Sequence, residues 1–232
     1  MGAGRIVLWR HARTAYNASA RLQGQIDIPL DAVGRWQART AAARLLGRHE
    51  PTRVVSSDLT RARETAAALA SAAELDVVLD ERLRERAFGE WEGLSGEEIA
   101  ERWPAEYALW RGGGEPERVG AEMRAAVAAR MAEGVAAHVA TLERTDTLVV
   151  VSHGAALSSV VAELLDLPAA SRAFAGMLNA HWAELVAARN DVRPAWRLVG
   201  YNVGPSDVST DWNAGPDRAG DVDPDTETRD PD

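Results

Sequence analysis

The sequence predicts an α/β fold, a three-layer α/β/α sandwich around a mainly parallel central sheet. Three observations predict it. Short apolar runs of strand length alternate with longer segments of helical periodicity. Three of those runs end in clusters of polar and basic residues, where open α/β sheets bind their ligands. The 232 residues, 46% of them hydrophobic, suffice for one compact domain with a sizeable core.

The elements follow in order. Ile6-Val7-Leu8-Trp9 reads as a buried strand, and residues 11–29 as a polar loop. Asp31 precedes a helical pattern through Leu46, with Gly47 as its stop. Val54-Val55 is a second strand, and Ser57 or Asp58 is placed to cap a helix over 59–72. Val77-Val78-Leu79 is a third short strand, followed by a Gly- and acid-containing loop over 83–93. Residues 97–110 read as helix broken by Pro104, and 121–142 as a long Ala-rich helix. Leu148-Val149-Val150-Val151 is a buried strand, and a helix to about Leu165 follows Ser152-His153-Gly154. Segments 181–187 and 196–202 alternate like strands, with a turn at Asn190-Asp191 and Pro194 between them.

Residues 205–232 are rich in Pro, Gly, Asp and Thr and bury too little apolar surface to order themselves. The chain therefore divides into a folded domain over 1–204 and an acidic tail over 205–232, whose removal is expected to leave the domain intact. Of the formal charge of −9, the tail carries −7, which leaves −2 for the body and permits a basic pocket there. All 26 basic residues are arginine, the better bidentate phosphate ligand. Without cysteine, neither a disulfide framework nor a thiolate metal site can form. The acidic total and the lack of a basic stripe argue against nucleic-acid binding. No apolar run is long enough to span a bilayer, and the expectation is a cytoplasmic protein with no membrane partner.

The chemistry gathers at three strand ends. They read Arg10-His11-Ala12-Arg13-Thr14, Ser56-Ser57-Asp58-Leu59-Thr60-Arg61 and Ser152-His153-Gly154. Two arginines and two histidines from one sheet edge suit a dianionic phosphate. No His-Glu-x-x-His zinc motif is present, and neither a metal nor a cofactor is expected.

These blocks resemble the histidine phosphatase superfamily, the phosphoglycerate-mutase-like proteins. Leu8-Trp9-Arg10-His11-Ala12-Arg13-Thr14 is similar to its Arg-His-Gly signature. The likeness continues through Asn17, Arg21-Leu22-Gln23-Gly24 and Pro29-Leu30. It recurs at 56–62, at Thr65-Ala66, at Leu83-Arg84-Glu85-Arg86, and at Phe88-Gly89-Glu90-Trp91-Glu92-Gly93. Gly113-Gly114-Glu115 and Val151-Ser152-His153-Gly154 complete it.

The resemblance implies a phosphomonoester hydrolase of small phosphorylated metabolites. His11 is its nucleophile, forming a phosphohistidine. Arg10, Arg61 and His153 hold the phosphoryl oxygens, and Asn17, Gln23, Gly24 and Gly154 complete the substrate side. Glu85 is the general acid and then the base, in competition with the nearby carboxylates Glu81, Glu90 and Glu92. His49 and His138 read as surface residues, and His181 as a residue of the substrate side. Trp91, Trp103 and Trp110 read as core or pocket wall. Ala12 stands where the family has Gly, which is harmless only if φ there is negative. Arg13 stands where Gln or Glu is usual, and either adds positive charge at the pocket mouth or points to solvent. The short segment 93–113 favours hydrolysis over mutase chemistry, the alternative being mutase-type transfer or a non-catalytic phospholigand-binding protein. Within the superfamily the chain resembles glucosyl-3-phosphoglycerate phosphatases, a likeness carried by 56–62, 83–93, 176–182 and Trp196-Arg197-Leu198. A homodimer is the assembly the resemblance implies.

Overall fold

The computed structural model describes residues 2–169, 171, 173–189, 192–204 and 212–213. The strands are β1 (Arg5–Arg10), β2 (Arg53–Ser56), β3 (Val77–Leu79), β4 (Thr147–Ser152), β5 (Trp182–Ala187) and β6 (Trp196–Val203). The α-helices are α1 (Ala15–Ala18), α2 (Ala32–Leu46), α3 (Thr60–Ala73), α4 (Gly96–Arg102), α5 (Pro104–Arg111), α6 (Arg124–Val139) and α7 (Gly154–Leu164).

The strands form one sheet in the order β3-β2-β4-β1-β5-β6. The first four run parallel, while β5 and β6 are antiparallel additions on the far side of β1. Strand β4 is buried along its whole length, as the middle of a sheet covered on both faces must be. Alternation along β1 sorts its side chains between two cores. Ile6 and Leu8 join Val127, Met131 and Val135 of α6 and Leu157 and Val160 of α7. Val7 and Trp9 face the other way, against Ala38, Ala41 and Leu45 of α2 and Ala62, Ala66 and Leu69 of α3. The three layers expected from the sequence follow from this division. A third, smaller cluster of Phe88, Trp91, Ile99 and Val119 gathers Trp103, Tyr107 and Trp110 around it. The three tryptophans thus pack as core and pocket wall.

The helix ends are fixed locally. Asp31 accepts from the Gly34 N–H at 2.7 Å and starts α2. Pro104 occupies the first turn of α5, where its missing N–H costs no bond, so it separates α4 from α5. The expected cap of α3 differs. Asp58 is paired with Arg84, and the N-cap position belongs to Leu59, which offers no side-chain acceptor. Asp27, more than thirty residues earlier, accepts from Thr60 N at 2.7 Å and Thr60 Oγ1 at 2.8 Å instead. Residues 11–29 are not wholly loop either. They contain α1, a single turn closed by a reciprocal capping box between Thr14 and Asn17.

His49 and His138 are not free surface residues. His49 lies 3.1 Å from Glu184 with its side chain 7% exposed, and His138 lies 2.9 Å from Asp80. Each carboxylate sits on a separate element, a pairing that helical periodicity alone does not reveal. The turn expected at Asn190-Asp191 falls outside the described residues. Of residues 205–232, only Trp212 and Asn213 are described. Trp212 lies against Trp36 at a ring separation of 5.0 Å.

Candidate active site

Strands β1, β2 and β4 end side by side. Arg10 is in register with Ser152, and Ser56 with Val151, so the residues that follow each strand emerge together. His11 leaves β1 with its backbone N–H donating to the Ser152 carbonyl at 2.9 Å. Its ring lies 5.1 Å from that of His153, at 58°. Both are buried, at 2% and 0% exposure.

Hydrogen bonds assign the two rings opposite tautomers. His11 Nδ1 lies 2.7 Å from the Ala12 carbonyl, which can only accept. Nδ1 therefore carries the proton, and Nε2 keeps its lone pair. His153 Nδ1 accepts from Arg61 Nε at 3.2 Å, so its proton is on Nε2, 2.9 Å from Ser57 Oγ. The first ring presents a nucleophilic nitrogen and the second a donor. Burial, reinforced by the charges of Arg61 and Arg10, pushes the His11 pKa well below its ordinary value. Burial likewise depresses His153, with Arg61, His11 and Arg10 adding to the effect.

The cations are held by carbonyls rather than by carboxylates. Arg61 Nη1 donates to Ile26 O at 2.8 Å and Nη2 to Gly24 O at 2.7 Å. Burial brings this guanidinium down to about 10, against the opposing charge of Glu85, so it stays protonated at neutral pH. Arg10 Nη1 donates to the Met177 carbonyl, and its buried Nε has no partner among the described residues. Burial lowers Arg10 as well, with Glu85 opposing. A buried, unpartnered guanidinium N–H beside a second arginine and a histidine donor fits an oxyanion.

Glu85 sits at the start of α7. Its Oε1 accepts from Arg86 N at 2.8 Å and Ala156 N at 2.9 Å, and Oε2 from Ala155 N at 3.2 Å. Its charge bears on both Arg10 and Arg61. Glu92 likewise accepts from the N–H groups of Gln25 and Phe88, and Glu81 is largely exposed.

The remaining predicted residues divide into those that face the site and those that build it. Asn17 Oδ1 accepts from Thr14 N and from Asn179 Nδ2, leaving its own Nδ2 for a ligand. Gln23 accepts from Thr14 Oγ1 at 2.8 Å and braces that turn. Gly24 has φ +52, and a Cβ there would meet the Glu92 carboxylate at about 2.0 Å. Its carbonyl thereby reaches Arg61, so its geometry serves the arginine. Gly154 opens α7 directly against the Arg10 guanidinium. His181 donates to the Asn179 carbonyl, and its ring meets Trp212 edge-on.

Sequence reasoning passed over three residues. Asn179 Nδ2 donates to the His11 carbonyl at 3.1 Å as well as to Asn17. Arg130 of α6 donates to the carbonyls of Arg82, Arg84 and Glu85 and pins the Glu85 loop. Ser57 Oγ accepts from the His153 Nε2–H at 2.9 Å. Asn179 lies in a motif of the resemblance without a role of its own, and Ser57 is expected there only as a helix cap. Arg130 lies in an Ala-rich helix that gave no signal.

Ala12 and Arg13 are also resolved. The described non-glycine residues with positive φ are Ala20, Glu74, Asp166, Ala180 and Asn202, so Ala12 carries its Cβ without strain. Arg13 is partly exposed but held in place. Its Nε donates to Asp31 at 2.9 Å and its Nη1 to the Asn213 carbonyl.

Comparison with known proteins agrees with this geometry. The model of the histidine phosphatase superfamily (branch 1) matches residues 6–202. Glucosyl-3-phosphoglycerate phosphatase of Mycobacterium tuberculosis (strain CDC 1551 / Oshkosh) is 40% identical over 223 residues, covering 91% of this chain and 99% of that protein. The enzyme of the same name from Mycolicibacterium vanbaalenii is 37% identical over 218 residues, covering 87% and 96%. The solved mycobacterial glucosyl-3-phosphoglycerate phosphatase with VO3 superposes with a TM-score of 0.78 at 39% identity, over 86% of this chain and 99% of that one. With the family model spanning nearly all of the sheet and its polar strand ends, the chain belongs to the histidine phosphatase superfamily, branch 1.

Proposed function

We propose that this protein is a cytoplasmic phosphomonoesterase that works through a phosphohistidine at His11 on a small phosphorylated metabolite of the glucosyl-3-phosphoglycerate type. The observation that carries the reading is the opposed tautomers of His11 and His153. The His11 Nδ1–H is committed to the Ala12 carbonyl, so the Nε2 lone pair faces a site lined by Arg10 and Arg61. In the first step Nε2 attacks phosphorus, the ester P–O bond breaks, and the leaving oxygen takes a proton from Glu85. Arg10, Arg61 and the His153 Nε2–H, which turns from Ser57 Oγ to the bound phosphate, meet the charge on the equatorial oxygens, with Asn17 adding an amide donor. Water then attacks the same phosphorus, gives its proton to Glu85, and the N–P bond breaks. His11 recovers its lone pair and inorganic phosphate leaves.

The relatives' names support the substrate class. Such metabolites belong to the cytoplasm, which supports that location. The charge-stabilising groups all lie within 1–204, which supports that span as the catalytic domain. The test is to quench a reaction with a 32P-labelled substrate. An acid-labile, base-stable phosphoenzyme that His11→Ala abolishes is expected. Phosphate release with no such adduct would remove His11 as nucleophile. Release of phosphate from glucosyl-3-phosphoglycerate at least about 10-fold faster than from phosphoserine, a factor of ordinary substrate discrimination, tests the class.

A further inference from the structure

Beside the phosphoryl position lies a cavity of about 420 Å³ lined by Arg10, Arg13, Asn17, Leu178, Asn179 and Asn213, among others. It shares Arg10 and Asn17 with the proposed phosphoryl site, so a group esterified to the bound phosphate extends into it. Arg13 is fixed at this wall from three directions. Its backbone N–H donates to Gln37 Oε1 at 2.9 Å, Nε donates to Asp31, and Nη1 donates to the Asn213 carbonyl. Its Nη2 has no hydrogen-bond partner among the described residues.

Asn213 is held by its neighbour. Trp212 Nε1 donates to the Asn179 carbonyl at 2.8 Å, and its own carbonyl accepts from Gln37 Nε2 at 2.7 Å. Gln37 thus ties the Arg13 backbone to the Trp212–Asn213 segment, and Asn213 sets the guanidinium. A guanidinium with Nε and Nη1 committed is organised before a ligand arrives, and Nη2 is left to donate to a carboxylate. Asp31 engages Arg13 through Nε, and Arg13 lines the cavity beside Arg10.

We propose that Arg13 is a specificity-determining residue that receives a carboxylate on the leaving alcohol. The inference rests on the phosphatase reading for where the phosphate sits, but its test does not need turnover. In the His11→Ala variant, calorimetry would compare 3-phosphoglycerate with glycerol 3-phosphate, which differ by a carboxylate in place of a hydroxymethyl group. The carboxylate ligand is expected to bind about 10- to 100-fold tighter, as one charge-assisted contact gives. Adding Arg13→Gln should remove most of that ratio while changing glycerol 3-phosphate affinity by less than about threefold, and Arg13→Lys should restore part of it. An unchanged ratio in Arg13→Gln would overturn the proposal. Equal weakening of both ligands would overturn it too, since Arg13 would then serve the phosphate or the fold. Failure of the phosphatase reading would appear differently, as a wild-type protein that forms no phosphoenzyme yet keeps the Arg13-dependent ratio.

Discussion

Two buried clusters in this molecule are made from the same residue types, histidine, arginine and glutamate, and only one of them is left electrically open. Near the amino ends of β1 and β4, Glu184 collects four donors. Trp182 Nε1 reaches it at 2.8 Å and His49 at 3.1 Å, with Arg48 at 3.5 Å and Arg5 at 3.8 Å. Burial would raise the Glu184 pKa, but the bonds from Trp182 and His49 hold it below its ordinary value. At the carboxyl ends the arrangement is reversed. Arg10 and Arg61 donate to carbonyls and make no ion pair among the described residues. The carboxylates that bear on Arg61 are bonded elsewhere, Asp27 to Thr60, Glu92 to Gln25 and Phe88, and Glu85 to α7. A buried charge is expensive unless it is paired. The Glu184 cluster meets that cost internally, and the His11 cluster leaves it for an anion to meet. Identical residue types therefore mark a structural lock at one end and a binding site at the other.

The largest expected effects break the open cluster. His11→Ala should reduce turnover by at least about 10⁴-fold, the scale of losing a covalent nucleophile. Glu85→Gln should slow formation of the phosphoenzyme by about 10²–10⁴-fold for an alkyl phosphate. Para-nitrophenyl phosphate, whose leaving group departs as an anion, should suffer far less. Rapid-quench measurement isolates that step, and equal slowing of both substrates would take the acid role from Glu85.

Removing the centre of the closed cluster should do the opposite. Glu184→Ala leaves His49, Trp182 Nε1 and two arginines without their shared acceptor. We expect a loss of about 1–3 kcal/mol in urea unfolding, with turnover per folded molecule nearly unchanged. A collapse of turnover at full stability would mean that the two ends of the sheet are coupled.

The open cluster should also set the acid limit of stability. His11 and His153 are depressed in the folded state and titrate near 6.5 when unfolded. Between those values the unfolded chain binds more protons, so stability rises with pH and falls as the medium is acidified through 6.5. Each histidine contributes a slope of up to about 1.4 kcal/mol per pH unit. Chemical unfolding from pH 7 to 5 should show this slope, and His11→Ala should remove about a third to a half of its histidine part, because burial depresses His181 as well. An identical pH profile in that variant would show that His11 is not held neutral.

Much of this was legible in the chain. Apolar runs and helical spacing give the sheet because β1 and β4 are covered on both faces, which forces continuous hydrophobic sequence. The strand-end motifs name the site because the register of β1 on β4 delivers His11 and His153 together. The illegible parts are contacts between residues far apart in sequence. Nothing local announces that Asp27 starts α3, that Arg130 holds the Glu85 loop, or that His49 answers Glu184. Trp212 was hidden for a different reason. The composition of 205–232 is that of a solvated segment, and an average over the segment conceals one tryptophan with a docking place against Trp36.

The smallest effect is expected at Ala12, the position where the sequence departs from its family's glycine. Its backbone bridges both clusters of function and packing. The Ala12 N–H donates to Thr65 Oγ1 at 3.1 Å, its carbonyl accepts from His11 Nδ1, and its methyl is fully buried in the core beneath α2 and α3. With φ negative, the methyl costs no backbone strain. Ala12→Gly should then lose rather than gain stability, by about 0.5–1 kcal/mol, because the unfolded chain becomes more flexible. Loss of one buried methyl adds a similar amount, about 0.8 kcal/mol. The two backbone bonds survive the change, so the His11 tautomer and turnover should stay within about twofold, a shift of under half a kcal/mol in barrier. Denaturant unfolding and steady-state kinetics on the same preparation check both halves. A rise in both stability and rate would mean that the methyl strains the loop carrying His11, and that the open cluster is less well organised than its hydrogen bonds imply.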